Sequence, residues 1–86
     1  MELKHFRLIK AIADEGNIAN SAERLFLTQS ALSHQLRSVE ENLGAKIFIR
    51  NRKEWELTEE GQELYHLATS VLNSVDKKLM QIKHFS

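Results

Sequence analysis

Six apolar residues in the C-terminal third of the chain, Leu64, Ala68, Val71, Val75, Leu79 and Ile82, recur in steps of 4, 3, 4, 4 and 3. This spacing sets them in one stripe along an α-helix, with the repeat of a coiled-coil seam. Thr58-Glu59-Glu60-Gly61 suits the start of that helix: a hydroxyl cap, then two carboxylates on the first turn, where the helix dipole favours negative charge. Gly61 costs about 1 kcal/mol against Ala inside a helix, so its presence predicts close packing against the body of the chain. A helix of about 27 residues spans roughly 40 Å. A body built from residues 1–57 is too small to cover that length. The outer half of the stripe therefore calls for a second surface. The simplest is the same helix of another copy, in an antiparallel or crossed homodimer.

What precedes the stripe must fold around one modest core. The chain has 86 residues, 42% of them hydrophobic, which is enough for a single small domain and too many for disorder. It has no proline, which suits a mostly helical chain. It has no cysteine, which excludes disulfides, thiol nucleophiles and thiolate metal sites and fits a reducing cytosol. The opening Met-Glu-Leu-Lys-His lacks the apolar run of a signal peptide, and no apolar stretch approaches the roughly 18 residues of a membrane span. The expected location is the cytoplasm, with no membrane partner.

Leu3, Phe6, Ile9, Ile12 and Ala13 predict an amphipathic helix over residues 2–15, stopped by Gly16. Asn17 is placed to cap a second helix, with Ala19, Ala22, Leu25 and Phe26 on its inner face and Phe26-Leu27 in the turn. Thr28 is the expected cap of a third helix over residues 29–43. Leu32, Leu36, Val39 and Leu43 form its buried stripe, and Gly44 ends it. That stripe leaves Gln29, Ser30, Ser33, His34 and Arg37 on outer faces. A helix that only covered a core would more often present Glu and Lys there. Compact hydrogen-bonding side chains at the start of the second helix of a helix-turn-helix can reach base edges in a DNA major groove. Gln29 and Ser33 lead as base readers, because Gln can bond bidentately to adenine and Ser can pair with several bases; Ser30 and His34 follow.

The period then changes. Lys46-Ile47-Phe48-Ile49-Arg50 reads as a strand, Asn51-Arg52-Lys53-Glu54 as a polar loop and Trp55-Glu56-Leu57 as a returning strand. Together they predict a small hairpin with a basic tip, a wing, with Trp55 as a plug beneath it. The net charge is zero, but its distribution is uneven. Residues 1–27 carry four basic and four acidic side chains, residues 28–53 five and two, and residues 54–86 three and six. Positive charge is thus confined to the third helix and the wing. Arg37, Arg50, Arg52 and Lys53 suit phosphate contacts, which position a protein without specifying sequence. A wing arginine can also enter a minor groove, and the free amides at the Thr28 end can hold a phosphate.

In this order of elements the chain resembles the N-terminal DNA-binding domain of the LysR-type transcriptional regulators of bacteria. The resemblance rests on Leu3, Phe6 and Ile9, on Gly16 and Ala19 to Leu25, and on Thr28-Gln29-Ser30-Ala31-Leu32-Ser33-His34-Gln35-Leu36. It continues through Leu43-Gly44, Ile47-Phe48-Ile49-Arg50 and Leu57-Thr58-Glu59-Glu60-Gly61, without gaps, over essentially the whole chain. Two positions depart: Ser30 stands where many members have proline, and His34 where many have arginine. The departures bear on which sequence is read, not on the mode of binding. Gln-Ser-Ala-Leu-Ser-His is similar to the methionine-pathway regulators of that family.

The resemblance implies a mainly α, winged helix-turn-helix fold with a two-stranded β wing and a long C-terminal helix. It implies sequence-specific binding of double-stranded DNA by a dimer at a palindromic operator. The helix of residues 29–43 would lie in the major groove and the wing on the backbone or in the minor groove. Residues 1–57 would be the DNA-binding unit and residues 58–86 the dimerising linker helix. In such regulators a larger ligand-sensing domain follows the linker. Ser86 falls where that linker would be, so effector binding and higher oligomers are expected only of a full-length protein.

Enzyme readings find little support. Glu63-Leu64-Tyr65-His66 has the spacing of a carboxylate metal site, but a di-metal bundle needs that spacing twice. His5, His34, His66 and His84 have no metal-ligand spacing. No nucleophile elbow accompanies Ser30 and Ser33, and three glycines make no phosphate loop. Neither a cofactor nor a metal is expected. The competing reading is a helical adaptor that dimerises through residues 64–82 and binds protein; the basic wing beside a polar helix argues against it. Another winged-helix family is the alternative among DNA binders, but the motif lies close to the N-terminus, as in LysR-type regulators.

Overall fold

The first helix is the surface on which the others assemble. The computed structural model describes residues 1–52 and 54–85. The elements run α1 (Leu3–Glu15), α2 (Ile18–Arg24), α3 (Gln29–Leu43), β1 (Phe48–Asn51), β2 (Glu54–Leu57) and α4 (Glu59–Phe85). This is the mainly α architecture with a two-stranded wing that the sequence implies. One core takes Leu8, Ile9 and Ile12 from α1, Ala22 from α2, Leu32, Leu36 and Val39 from α3, and Ile47 and Phe48 at the start of the wing. Gly16 closes α1 at φ 75° and Gly44 closes α3 at φ 70°, a left-handed conformation that costs other residues more. The Asn17 side chain accepts from the amide of Asn20, 2.8 Å away, and so caps α2. The buried Ser21 hydroxyl donates to carbonyls of Asn17 and Ala11, tying α2 to α1.

Several inner positions differ from those the periodicity assigns. Leu3 is exposed, and Leu8 and Ala11 are buried in its place, because α1 meets its neighbours along its second half. Ala19 and Leu43 are exposed. Phe26 is 96% exposed at φ 57°. The chain reverses there in the left-handed conformation, which turns the ring outward, and the half-buried Leu27 packs on the core instead. The strands are also shifted: β1 begins and ends later than expected, at Phe48 and Asn51, while β2 begins one residue earlier, at Glu54, so that Asn51 and Glu54 pair across the turn.

Helix α4 starts on a dense polar joint. The Thr58 hydroxyl donates to the carbonyl of Lys46 (2.6 Å) and lies 3.2 Å from that of Ile47, while it accepts from the amide of Gly61 (2.9 Å). A methyl group on Gly61 would collide with the backbone carbonyl of Ile47. The body-facing stripe of α4 then runs through Tyr65, Ala68 and Leu72; Ala68 is fully buried and Leu72 nearly so. Of the expected seam, Ala68 is therefore covered within the chain. Leu64, Val71 and Val75 are half-buried, and Leu79 and Ile82 are exposed, as is Leu67.

One further tie joins three helices at Asp14. Its carboxylate accepts from Lys10 Nζ (2.8 Å), Arg24 Nη1 (3.4 Å) and the Tyr65 hydroxyl (2.7 Å). Partial burial pushes this carboxyl up, but the Lys10 ammonium and the Tyr65 hydroxyl outweigh it, so it titrates below its ordinary value of 3.8. The Asp14 carboxylate raises Lys10 above its ordinary 10.5.

Two outcomes follow from these contacts. Gly61→Ala should lower stability by about 1–3 kcal/mol in chemical denaturation, although Ala is the better helix former, because backbone must move to admit the methyl group. An unchanged or raised midpoint would contradict that packing. The depressed Asp14 carboxyl stabilises the fold fully above its unfolded value and progressively less as the pH falls through its folded one. The stability gap between the parent and Asp14→Asn should therefore be widest above pH 3.8 and close on acidification below it. A gap independent of pH would rule out the ionic contribution.

Candidate nucleic-acid interface

The polar face of α3 is set by its cap and its buried stripe. Thr28 is extended (φ −73°, ψ 157°), and its Oγ1 accepts from the amide of Ala31 at 3.1 Å. The helix therefore begins at Gln29. With Leu32, Leu36 and Val39 inward, Gln29, Ser30, His34 and Arg37 are exposed and Ser33 is half-buried.

The wing is pinned alongside this face at both strands. Glu40, on α3, accepts from the amide of Ile47 at 2.8 Å and lies 3.5 Å from that of Phe48, so the approach to β1 is fastened to the helix. Lys46 Nζ lies 3.7 Å from the same carboxylate. On the other strand the Trp55 amide donates to the carbonyl of Gly16 at 3.0 Å. The antiparallel register sets Phe48 opposite Leu57 and Arg50 opposite Trp55. These four share one face of the hairpin, by strand alternation, and Ile49, Asn51, Glu54 and Glu56 share the other. Trp55 packs partly against the core, with its ring edge-on to Phe48 at 6.2 Å between centroids.

Helix and wing together enclose an open cleft of about 560 Å³ lined by Ile18, Gln29, Ser30, Ser33, His34, Arg37, Arg50 and Trp55. Five residues expected to face DNA on α3 and one on the wing thus meet around one concavity. Its chemistry is mixed. Gln29, Ser30, Ser33 and His34 bring hydrogen-bonding side chains from α3, and Arg37 of α3 and Arg50 of the wing each bring a guanidinium group. A B-DNA major groove, about 12 Å wide, admits an α-helix carrying such side chains.

Other expected residues fall outside the cleft. Thr28 caps the helix and does not line it. Arg52 sits in the turn at φ 57°, beside a separate open depression of about 620 Å³ shared with Asn51, Glu54 and Glu56. The tip is therefore less uniformly basic than its sequence suggests. Lys53 lies outside the described residues. Ile18, which no motif singles out, and Trp55, expected as a plug beneath the wing, also line the cleft. Glu40, which reads in sequence as an ordinary surface acid, holds the wing. No short-range signal reveals that, because its partners lie seven and eight residues on. Among the described residues, no group of three or more acidic, His or Cys side chains is arranged to hold a metal ion. Among the same residues, no helix is long and apolar enough to cross a membrane.

Comparison with known proteins agrees with this geometry. Residues 3–62 match the family model described as bacterial regulatory helix-turn-helix protein, lysR family. The transcriptional regulator MetR of Haemophilus influenzae is 34% identical over 98% of this chain, and MetR of Escherichia coli K12 is 37% identical over 92%. The chain spans only about a quarter of the length of these relatives (28% and 25%). Among solved structures, the BenM DBD in complex with benA site 1 DNA matches over the full length of both chains, with a TM-score of 0.91 at 31% identity. The CbnR DBD–DNA complex matches over 98% of this chain and 97% of that one, with a TM-score of 0.86 at 26% identity. The family match covers helices, wing and the start of α4 alike, and the chain belongs to the LysR family of bacterial regulatory helix-turn-helix proteins.

Proposed function

We propose that this chain binds double-stranded DNA in a sequence-specific manner, as the DNA-binding part of a LysR-type transcriptional regulator. The observation that carries the reading is the cleft in which Gln29, Ser30, Ser33, His34 and Arg37 of α3 meet Arg50 of the wing. Side chains of α3 enter the major groove, and Gln29 and Ser33 read base edges, with Ser30 and His34 beside them. Arg37, Arg50 and Arg52 neutralise phosphates, as does Lys53, and fix the register without choosing the sequence. The amide end of α3, capped by Thr28, takes a phosphate. The BenM and CbnR complexes with DNA, whose chains superpose over nearly all of this one, support the assignment. The identity to MetR supports placing the chain near the methionine-pathway-like members of the family. A binding role needs no catalytic group, cofactor or metal, and it places the protein in the cytoplasm with the nucleoid.

Residues 1–57 form the reading unit and residues 58–86 the pairing helix. The pairing stripe consists of Leu64, Leu67, Val71, Val75, Leu79 and Ile82, with Leu67 taking the place of the enclosed Ala68. A two-fold dimer presents two reading helices to an operator of dyad symmetry, with half-sites about one helical turn or a multiple of it apart. Effector binding and assembly beyond the dimer belong to the larger remainder seen in relatives about four times as long.

Gln29→Ala should cost about 1–3 kcal/mol on the preferred site and much less on random DNA. Arg50→Ala and Arg52→Ala should weaken both alike and reduce the salt slope by about one unit each. Paired salt titrations on specific and random duplexes separate the two roles. If Gln29→Ala lowers both affinities equally while the wing variants lose only the specific one, the roles are exchanged. Replacing Val75 and Leu79 together by Glu should give monomers in sedimentation. A parent chain that is monomeric at high micromolar concentration would remove the dimer from the model.

A further inference from the structure

Beyond its capped start, α4 packs on α1 through apolar side chains such as Ala68 and Leu72 and through the directional contact of the Tyr65 hydroxyl with Asp14. Apolar burial is non-directional, and helix pairs packed by it scatter by about 15–20° in crossing angle. A hydrogen bond constrains distance and angle together. The acceptor here is itself immobilised. Lys10 Nζ holds Asp14 within α1, and Arg24 Nη1 reaches it from the end of α2, within 3.2 Å of Glu15 as well. The Lys10 ammonium also lies over the Tyr65 ring, 5.6 Å from its centroid. Arg24 is the last residue of α2, immediately before the turn into α3. A chain of guanidinium, carboxylate and phenol thus links the helix-turn-helix to the helix that leaves the body.

We propose that the Tyr65–Asp14 hydrogen bond is a positioning contact that fixes the angle at which α4 departs, and so determines which half-site spacing the dimer accepts on DNA. The proposal rests on the DNA-binding dimer described above. Its size follows from leverage. Ile82, at the far end of the pairing stripe, lies roughly 15 Å beyond Leu72, the last enclosed position of α4, at 1.5 Å per residue. A swing of about 15° about Leu72, the scatter that apolar helix packing tolerates, displaces it by about 4 Å. That exceeds the rise of one base pair, about 3.4 Å. Two-fold symmetry doubles the displacement between the reading helices. Loss of the contact therefore affects the spacing of half-sites more than the recognition of any one of them.

The test measures affinity for duplexes carrying two identical half-sites at spacings varied one base pair at a time. The proteins are the parent chain, Tyr65→Phe, Asp14→Ala, the double variant, and Ile9→Val as a control that loosens the core while leaving Lys10, Asp14, Arg24 and Tyr65 in place. The parent should show a sharp optimum. In Tyr65→Phe the preference for that optimum over its one-base-pair neighbours should fall about tenfold, the equivalent of one hydrogen bond to a charged group, while affinity for an isolated half-site stays the same. Ile9→Val should lower the melting temperature and leave the spacing profile unchanged. The double variant should broaden the profile no more than Asp14→Ala alone, because that change already removes the acceptor of the Tyr65 bond. An unchanged profile in Tyr65→Phe overturns the proposal, as does equal broadening by Ile9→Val or additive broadening by the two single changes. Should Tyr65→Phe fail to fold, Asp14→Ala against the same control decides by the same profile. A parent chain indifferent to paired half-sites instead refutes the DNA-binding dimer itself.

Discussion

Leu8, Ile9, Ala11 and Ile12 form the buried side of α1, and every other helix of the body depends on that surface. Helices α2, α3 and α4 all pack on α1, and β2 is hydrogen-bonded to the α1–α2 junction at Gly16. These apolar groups supply most of the favourable energy at roughly 25 cal/mol per Å² removed from water. They do not by themselves fix orientation. Orientation comes from a few polar joints placed around the core: Ser21 between α1 and α2, Glu40 between α3 and β1, Thr58 between the wing and α4, and Asp14 among α1, α2 and α4. The cleft keeps its shape because each of its walls is held by one of these joints and by a share of the same core.

The placement of charge depends on this arrangement. An acid on a helix facing a polyanion would normally weaken binding. Glu40, however, is turned to the amides that lead into β1, and Lys46 lies beside it. Arg37 and Arg50 remain at the cleft. The surface around the cleft is therefore more positive than the neutral total of the chain, and attraction of the proposed polyanion depends on that local field. The opposite holds at the wing tip, where Glu54 and Glu56 share a depression with Arg52.

Much of this was legible in the sequence where a single local rule applies. Asn17 and Thr28 cap helices because a side-chain oxygen three residues ahead of a free amide has a short-range partner. Gly16 and Gly44 end helices for an equally local reason. The bounds of α3, and hence its polar face, follow from those residues. Periodicity was less informative where two answers share one period. On α4, Gly61, Tyr65, Ala68 and Leu72 step by 4, 3 and 4, as do Leu64, Ala68, Val71 and Val75 within one place. Only the position of α1 decides which stripe is covered by the body. Leu3 and Phe26 show a related limit, since hydrophobicity says that a side chain gains from burial but not that a neighbour reaches it. The carboxylate joints were invisible for another reason: Asp14 and Tyr65 are 51 residues apart, and nothing local to either requires the other.

In the proposed dimer the two stripes of α4 lie side by side, so that adjacent positions along that helix serve different ends. Leu67 is half exposed and Ala68 fully enclosed, and Leu72 is nearly enclosed beside a less covered Val71. Lesions at 68 or 72 would act within one chain and behave as ordinary folding defects, insensitive to expression level. Lesions at 67 or 71 would act between chains, so their severity would fall as the protein is overproduced, by mass action. In a genetic screen, neighbouring codons would thus sort into two phenotypic classes, distinguished by whether gene dosage rescues them.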